Sequence, residues 1–527
     1  MQGDKGASKR AGLLRSAAVM SVITIGSRVL GLVREQVRAH YLGTSMASDA
    51  FGLAFQIPNL LRRLVAEGAM SAGFIPVLSQ VEEEEGTEAA LAFANRYFNL
   101  VMLVVTLLSA VGMLGASLII SLYALLGGGQ ADPESFALTT SLTRWMFPYI
   151  AFVALAAVAQ GVLNTYRVFW VSAASSIAMN AAIIAAAVGL AGRLDEAAYA
   201  FAVGVLAGGL LQFVVQIPYV FRLGYRWNPD FKVGPKVRKA VWLLVPTLFG
   251  AGVYQVNVMI SQAIAWQLGG GAVSSLQFSS RLLELTLGVF AVAISTVFLP
   301  SLSRDAAGGR LDEVRDTVMY AVRLCCFVCF PMLVGLFLLR TETASLLFER
   351  GAYGGESTWM TSYAMSFHLI GLVHIALARI FVPVFYAFKD TKTPVWVAFA
   401  SMILNVGLCY ALSPSLGHGG IALANTASAL LQALALSFLL RKHTGVLEDH
   451  QTGSSVLRSG LATGAMAGVV VVATPALIEP GTSGTALLLP YGLLVAAAVA
   501  TYTAAALAMR HPELAEVLGI VRRRIRR

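Results

Sequence analysis

Charge is scarce in this chain: 13% of its 527 residues are Asp, Glu, Lys or Arg, while 57% are hydrophobic. That balance excludes an ordinary soluble domain, in which about a quarter of the residues are charged. Cysteine is scarcer still, at four. Three of them, Cys325, Cys326 and Cys329, share one apolar stretch and read as small packing residues rather than a metal or redox centre, so no disulfide is expected. HExxH, GxSxG, a Walker loop and a paired-aspartate metal signature are all missing. Their absence argues against a hydrolase, an ATP-driven pump or a metal-dependent glycosyltransferase. No aromatic-plus-basic stretch suits nucleic acid, and no cofactor is expected.

What is present is apolar sequence. Mean hydropathy is +0.73. Runs of about 20 residues, long enough to cross a hydrocarbon core of roughly 30 Å as helix, recur from end to end. Breaks at charge and Gly/Pro clusters place spans at 12–38, 48–80, 90–126, 136–164, 168–191, 197–222 and 239–268. Seven more fall at 273–303, 314–340, 357–388, 394–413, 418–441, 456–477 and 484–509. The expected fold is an all-α membrane protein with fourteen transmembrane helices.

Short loops rich in Lys and Arg stay cytoplasmic. The N-terminus carries Lys5, Lys9, Arg10 and Arg15, and the tail carries Arg522, Arg523, Arg524, Arg526 and Arg527. An even span count puts both termini on one side, the cytoplasmic one, together with the loop holding Arg226, Lys232, Lys236 and Arg238. Stretches 127–130, 268–275 and 413–420, assigned outside, hold no Lys or Arg. Glu82 to Glu85 fall inside, but acids weigh little in orientation. The net charge of +10 is thereby taken up by topology and by anionic lipid headgroups. The basic start before an apolar run reads as an uncleaved first span.

The chain also resembles itself. Leu42-Gly43 through Pro76-Val77-Leu78-Ser79 matches Leu268-Gly269 through Pro300-Ser301-Leu302-Ser303, and Tyr166-Arg167 to Asn180 matches Phe388-Lys389 to Asn405, both at an offset of roughly 225. Two six-helix lobes of like orientation follow, a parallel repeat of the kind transporters use to expose a central cavity to alternate sides. The expected division is 1–225, 226–445, and 446–527 for the last two spans with the basic tail.

Several charges fall inside spans: Arg28 and Arg34 in the first, Asp49, Arg62, Arg63 and Glu67 in the second, Arg281 and Glu284 in the eighth. Each costs on the order of 2.5–3.5 kcal/mol near mid-bilayer, so they should line a hydrated cavity. Arg63 with Glu67 and Arg281 with Glu284 are spaced to neutralise one another on one helix face. Arg28, Arg34 and Arg62 have no such partner, unless Asp49 serves. A cluster of planar, permanently charged donors suits a phosphate or pyrophosphate headgroup. Pro58, Pro76 and Pro300 invite kinks, Gly26 and Gly31 a bend or close helix approach. His368 and His374 read as side chains hydrogen-bonded within the bundle rather than as a proton relay.

SRVLGLVRE (27–35) and DAFGLAFQIPNLLRRLVAEGAMSAGFIPVLS (49–79) resemble the signature of the MurJ (MviN) lipid II flippases, in the multidrug/oligosaccharidyl-lipid/polysaccharide exporter superfamily. SSRLLELTLGVFAVAISTVFLPSLS (279–303), FERGAY (348–353) and FYAFKDTKTP (385–394) extend the resemblance over nearly the whole chain. It implies two six-helix lobes plus two C-terminal helices that form a groove for a polyprenyl tail. It also implies transport of lipid II between leaflets of the bacterial inner membrane by alternating access. The family's functional arginines fall on Arg28, Arg34, Arg62 and Arg281, and its acids on Asp49 and Glu284. Gln56, Ser280 and Ser261 depart from the family pattern, Ser261 where some relatives carry a carboxylate thought to bind sodium. A coupling monovalent cation is therefore the partner the resemblance leaves open. Among other readings, a cation-coupled drug exporter would want an acidic cavity, a polysaccharide-lipid flippase shares the pyrophosphate logic, and a glycosyltransferase would need acidic catalytic loops.

Overall fold

The computed structural model describes residues 23, 25–62, 73–129, 132–445, 450–516 and 519. Among them every regular element is helical, and the chain divides into two compact units, Met1–Gly271 and Ala272–Arg527. Nine of these helical stretches are long and apolar enough to cross a membrane, or ten when one bent pair is taken as a single span. The chain is a multi-pass membrane protein.

In the first unit, α1 (25–42) leads through a short turn into α2 (Met46–Arg62), and α3 (Ile75–Glu85) leads into α4 (Thr87–Leu114). Pro76 stands in the first turn of α3, a position where a helix tolerates proline. The stretch expected as one span at 90–126 is divided at Gly115 into α4 and α5 (Ala116–Leu126). Near that break α4 lies tight against the turn at 147–148: a Cβ on Gly112 would fall 1.8 Å from Phe147 Cε1. Next come α6 (Pro133–Met146) and α7 (Tyr149–Thr165), one crossing at Pro133–Thr165. Asp132 caps α6 by accepting from Ser135 N at 3.0 Å, with Pro133 in the first turn.

Helices α8 (Phe169–Leu190), α9 (Ala198–Val214) and α10 (Ile217–Arg222) follow. At Gly204 a Cβ would sit 2.8 Å from Ile183 Cα, so α8 and α9 pack backbone to backbone as membrane helices with small residues do. The long α11 (Pro235–Trp266) closes the unit. One core joins Phe51, Met146, Tyr149, Ile183 and Phe201. A second joins Phe74, Phe93, Tyr97 and Val158.

The second unit is built on α12 (Ala272–Ala307), which packs on α13 (Leu311–Leu338), α15 (Gly355–His368) and α16 (Leu372–Ala387), with α14 (Arg340–Phe348) between. The span expected at 357–388 is α15 plus α16, bent by 47°. The turn after α16 brings Lys389 to φ 61 and opens α17 (Lys392–Leu416). Burial pushes the Asp390 carboxyl there upward, but bonds from the Thr393 amide (3.0 Å), the Thr393 hydroxyl (2.7 Å) and His443 outweigh it and hold it at about 2. Helix α18 (His418–Thr444) returns along α17, and α19 (His450–Leu477) pairs with α20 (Leu488–Ala508). That last pair is not peripheral to its unit, because Phe327 and Leu339 pack with Met466, Val470, Leu494 and Tyr502 in one core. Cys325 and Cys329 are buried thiols with sulfurs 3.8 Å apart on α13.

Candidate substrate-binding site

The expected cationic residues of the first unit lie on α1 and α2. Arg28 is exposed and makes no hydrogen bond or ion pair among the described residues. Arg34, two turns on, donates from Nη1 to Asn180 Oδ1 at 3.2 Å and from Nη2 to Glu35 Oε1 at 2.6 Å. Helical spacing offered no acid for Arg34, and its counter-ion is instead its immediate neighbour. Asn180 of α8 also donates to Ser27 O at 3.5 Å, so one amide spans two turns of α1.

Arg38 was not singled out from sequence, yet it is the most enclosed cation on α1. It donates to Ser48 O at 3.0 Å and Ser48 Oγ at 3.2 Å, lies 3.7 Å from Glu35 Oε2, and stands 5.5 Å over the Phe51 ring. Its signal in the sequence was one more basic residue on the same helix, four positions beyond Arg34.

Asp49 is 1% exposed, and its Oδ2 accepts from Gly271 N at 2.8 Å, which ties the start of α2 to the turn after α11. Arg62 ends α2 with Nε donating to Asn59 Oδ1 at 2.8 Å, one turn back. Arg63 and Glu67 lie outside the described residues.

In the second unit Arg281 and Glu284 share a face of α12, with Nη1 and Oε2 3.4 Å apart. The pair is loose, and Arg281 Nε is buried with no acceptor. A buried donor left unmatched is costly in a membrane protein unless something else fills it. Ser279, two residues earlier, bonds His368 Nδ1 at 2.8 Å, which places that ring inside the bundle. Ser261 is buried on α11. Among the described residues no three His, Cys, Asp or Glu side chains gather as a metal site would require.

With that geometry in place, the family model described as lipid II flippase MurJ matches residues 38–491. The chain belongs to the lipid II flippase MurJ family. A MurJ-family relative from Burkholderia cenocepacia, "Lipid II flippase MurJ", is 37% identical over 435 residues, covering 82% of this chain and 84% of the relative. One from Rhizobium meliloti, "Probable lipid II flippase MurJ", is 33% identical over 97% of this chain and 96% of its own. Among solved structures, a lipid II flippase MurJ in an inward closed conformation superposes with TM-score 0.78 at 25% identity, over 94% of this chain and 99% of that one. An inward-facing multidrug resistance MATE family transporter of the MOP superfamily matches with TM-score 0.64 at 14% identity, over 82% of this chain and 98% of that one, a likeness of fold alone. MurJ is a family of transporters, not of enzymes.

Proposed function

We propose that this chain moves lipid II, the undecaprenyl-pyrophosphate-linked peptidoglycan precursor, from the cytoplasmic to the periplasmic leaflet of the inner membrane by alternating access through a cationic central cavity. The observation that carries the reading is unspent donor capacity: Arg28 on α1, without a partner among the described residues, and Arg281 on α12, with a buried, unmatched Nε. Planar donors held where apolar sequence dominates match the oxygens of a pyrophosphate. Arg34 and Arg62 complete the cationic lining, while Glu284 tempers Arg281. Asp49 acts by fixing the turn at Gly271 rather than by touching the headgroup.

Fourteen spans with both termini cytoplasmic, in lobes 1–225 and 226–445 followed by 446–527, complete the proposal. Support for the duplication comes from backbone conformation. Arg167 and Lys389, paired by the repeat, both adopt left-handed φ, at 62° and 61°, and Gly43 and Gly269 do likewise at 57° and 101°. L-residues rarely adopt that conformation, so its recurrence at a paired position is informative. The undecaprenyl tail would follow the uncharged faces of α19 and α20. A coupling monovalent cation belongs to the same reading. The test is rescue of flippase-depleted cells: the parent chain restores growth, and Arg28→Ala and Arg281→Ala, present in the membrane at parental levels, do not. Full rescue by both variants contradicts the cationic-cavity mechanism.

A further inference from the structure

A second basic surface in the first unit is built from residues that the transport reading does not use. Segment 223–234 joins α10, which ends the membrane span Ala198–Arg222, to α11, and so stands at a membrane border. Two buried asparagines one turn apart on α4 hold it. Asn95 Nδ2 donates to Asn228 O at 2.6 Å, and its Oδ1 accepts from Asn228 N and Tyr225 Oη, each at 3.0 Å. Asn99 Nδ2 donates to Asn228 O at 2.6 Å and Asp230 O at 3.0 Å, while its Oδ1 accepts from Trp227 Nε1 at 3.0 Å. A segment that only connects two helices does not require that scaffold.

The scaffold presents Trp227, Phe231 and Val233 to the outside, and Trp242 beyond them is 67% exposed. Pro235, Arg238, Lys239 and Trp242 recur at three- and four-residue spacing on the first two turns of α11, hence on one face. With Val233 and Gly234 they line an open depression of ≈ 640 Å³. No acid lines it. Of the acids on α3 and in segment 223–234, Glu85 pairs with Lys236, Glu84 accepts from Gln80 at 2.8 Å, and Asp230 pairs with Arg96. Among the described residues Lys239 Nζ reaches only the neutral Gln80 Oε1, at 2.8 Å, and Arg238 has no side-chain partner. Val241 and Leu243, on either side of Trp242, are exposed as well.

We propose that this depression binds the headgroup of an anionic glycerophospholipid from the leaflet it borders. Arg238 and Lys239 take the phosphate, the Trp242 indole sits at the glycerol-ester level, and the acyl chains run along the outer face of α11. Aromatic rings at the interface and paired cations facing an anionic leaflet are the physical basis of this arrangement. The site is independent of lipid II transport.

The test is native mass spectrometry of the delipidated full chain, titrated with phosphatidylglycerol or phosphatidylcholine of matched acyl chains. Each cation should contribute about fivefold, so the parent should prefer phosphatidylglycerol roughly 25-fold for its first bound lipid. Arg238→Gln should lose about fivefold of that, and Arg238→Gln/Lys239→Gln nearly all of it. Arg238→Lys/Lys239→Arg and Arg28→Ala should both keep it, the latter separating this site from the transport residues. Equal preference in the parent and the double Gln variant overturns the proposal. So does displacement of the lipid by excess soluble glycerol phosphate, which would make the depression a free-phosphate site.

Discussion

Replacing Glu513 by Ala should release the last helix pair from α13. Glu513 lies in the short helix 512–516 after α20 and is 1% exposed. Its Oε1 accepts from Arg323 Nε at 2.9 Å and its Oε2 from Ser455 Oγ at 2.9 Å, and Oε2 lies 2.9 Å from His511 Nδ1. His511 Nε2 in turn lies 2.9 Å from Ser459 Oγ. One carboxylate therefore joins α13, α19 and the segment leaving α20. Removing it strips a nearly buried guanidinium of this counter-ion, a change that costs about 3–5 kcal/mol.

The protein carries its own reporter of that loss. Cys325, Cys326 and Cys329 are buried on α13 under the same contact, where the Phe327 ring lies tilted 4.7 Å from His511 and Tyr502 Oη donates to Phe327 O. In a Cys409→Ala background, maleimide labelling of these thiols reads the opening of α19 and α20 from α13. Where reclosing outpaces labelling, Glu513→Ala should accelerate it by roughly a hundred- to several-thousand-fold. Arg323→Met/Glu513→Gln should label more slowly than Glu513→Ala, because no buried charge is left behind. Labelling of Glu513→Ala at the parental rate refutes the reasoning.

The cluster also gives a pH dependence. Burial holds the His511 ring below its ordinary 6.5, against the pull of Glu513, so the unfolded chain binds the proton more readily. The contribution is complete above 6.5 and is lost as pH falls below it; a melting-temperature scan should show a decline from pH 7 to 5 that is smaller in His511→Gln. Gly112→Val should lower the melting temperature through overpacking of about 1–3 kcal/mol, since even a Cβ there would meet the Phe147 ring at 1.8 Å. Asn99→Ala removes three hydrogen bonds from segment 223–234, worth about 1 kcal/mol each. Limited proteolysis within that segment should be faster in this variant, and an unchanged cleavage pattern would show that the scaffold does not hold it.

The all-helical membrane fold was legible because lipid forces every span to be apolar and to satisfy its own backbone, and both constraints are written in local composition. The break at Gly115 was not, because both sides of it are apolar and nothing in the local composition separates them. The same division holds for the site. Arg281 and Glu284 pair as helical spacing requires. The partner of Arg34 across the unit, Asn180, comes from a helix 146 residues away, which no periodicity on α1 could supply. Arg38 was passed over because burial is set by α2, through Ser48 and Phe51, rather than by its own neighbours. Glu513 lies beyond the last span, and its importance lies wholly in where Arg323 and Ser455 are brought.

The central claim is that the guanidiniums of Arg28 and Arg281 receive a pyrophosphate-linked headgroup. It is tested most directly by following lipid II into the outer leaflet in cells whose only flippase is this chain. The parent should deliver lipid II to an outer-leaflet probe, and Arg28→Ala/Arg281→Ala, inserted at the same level, should not. Delivery by the double variant at the parental rate would contradict the account.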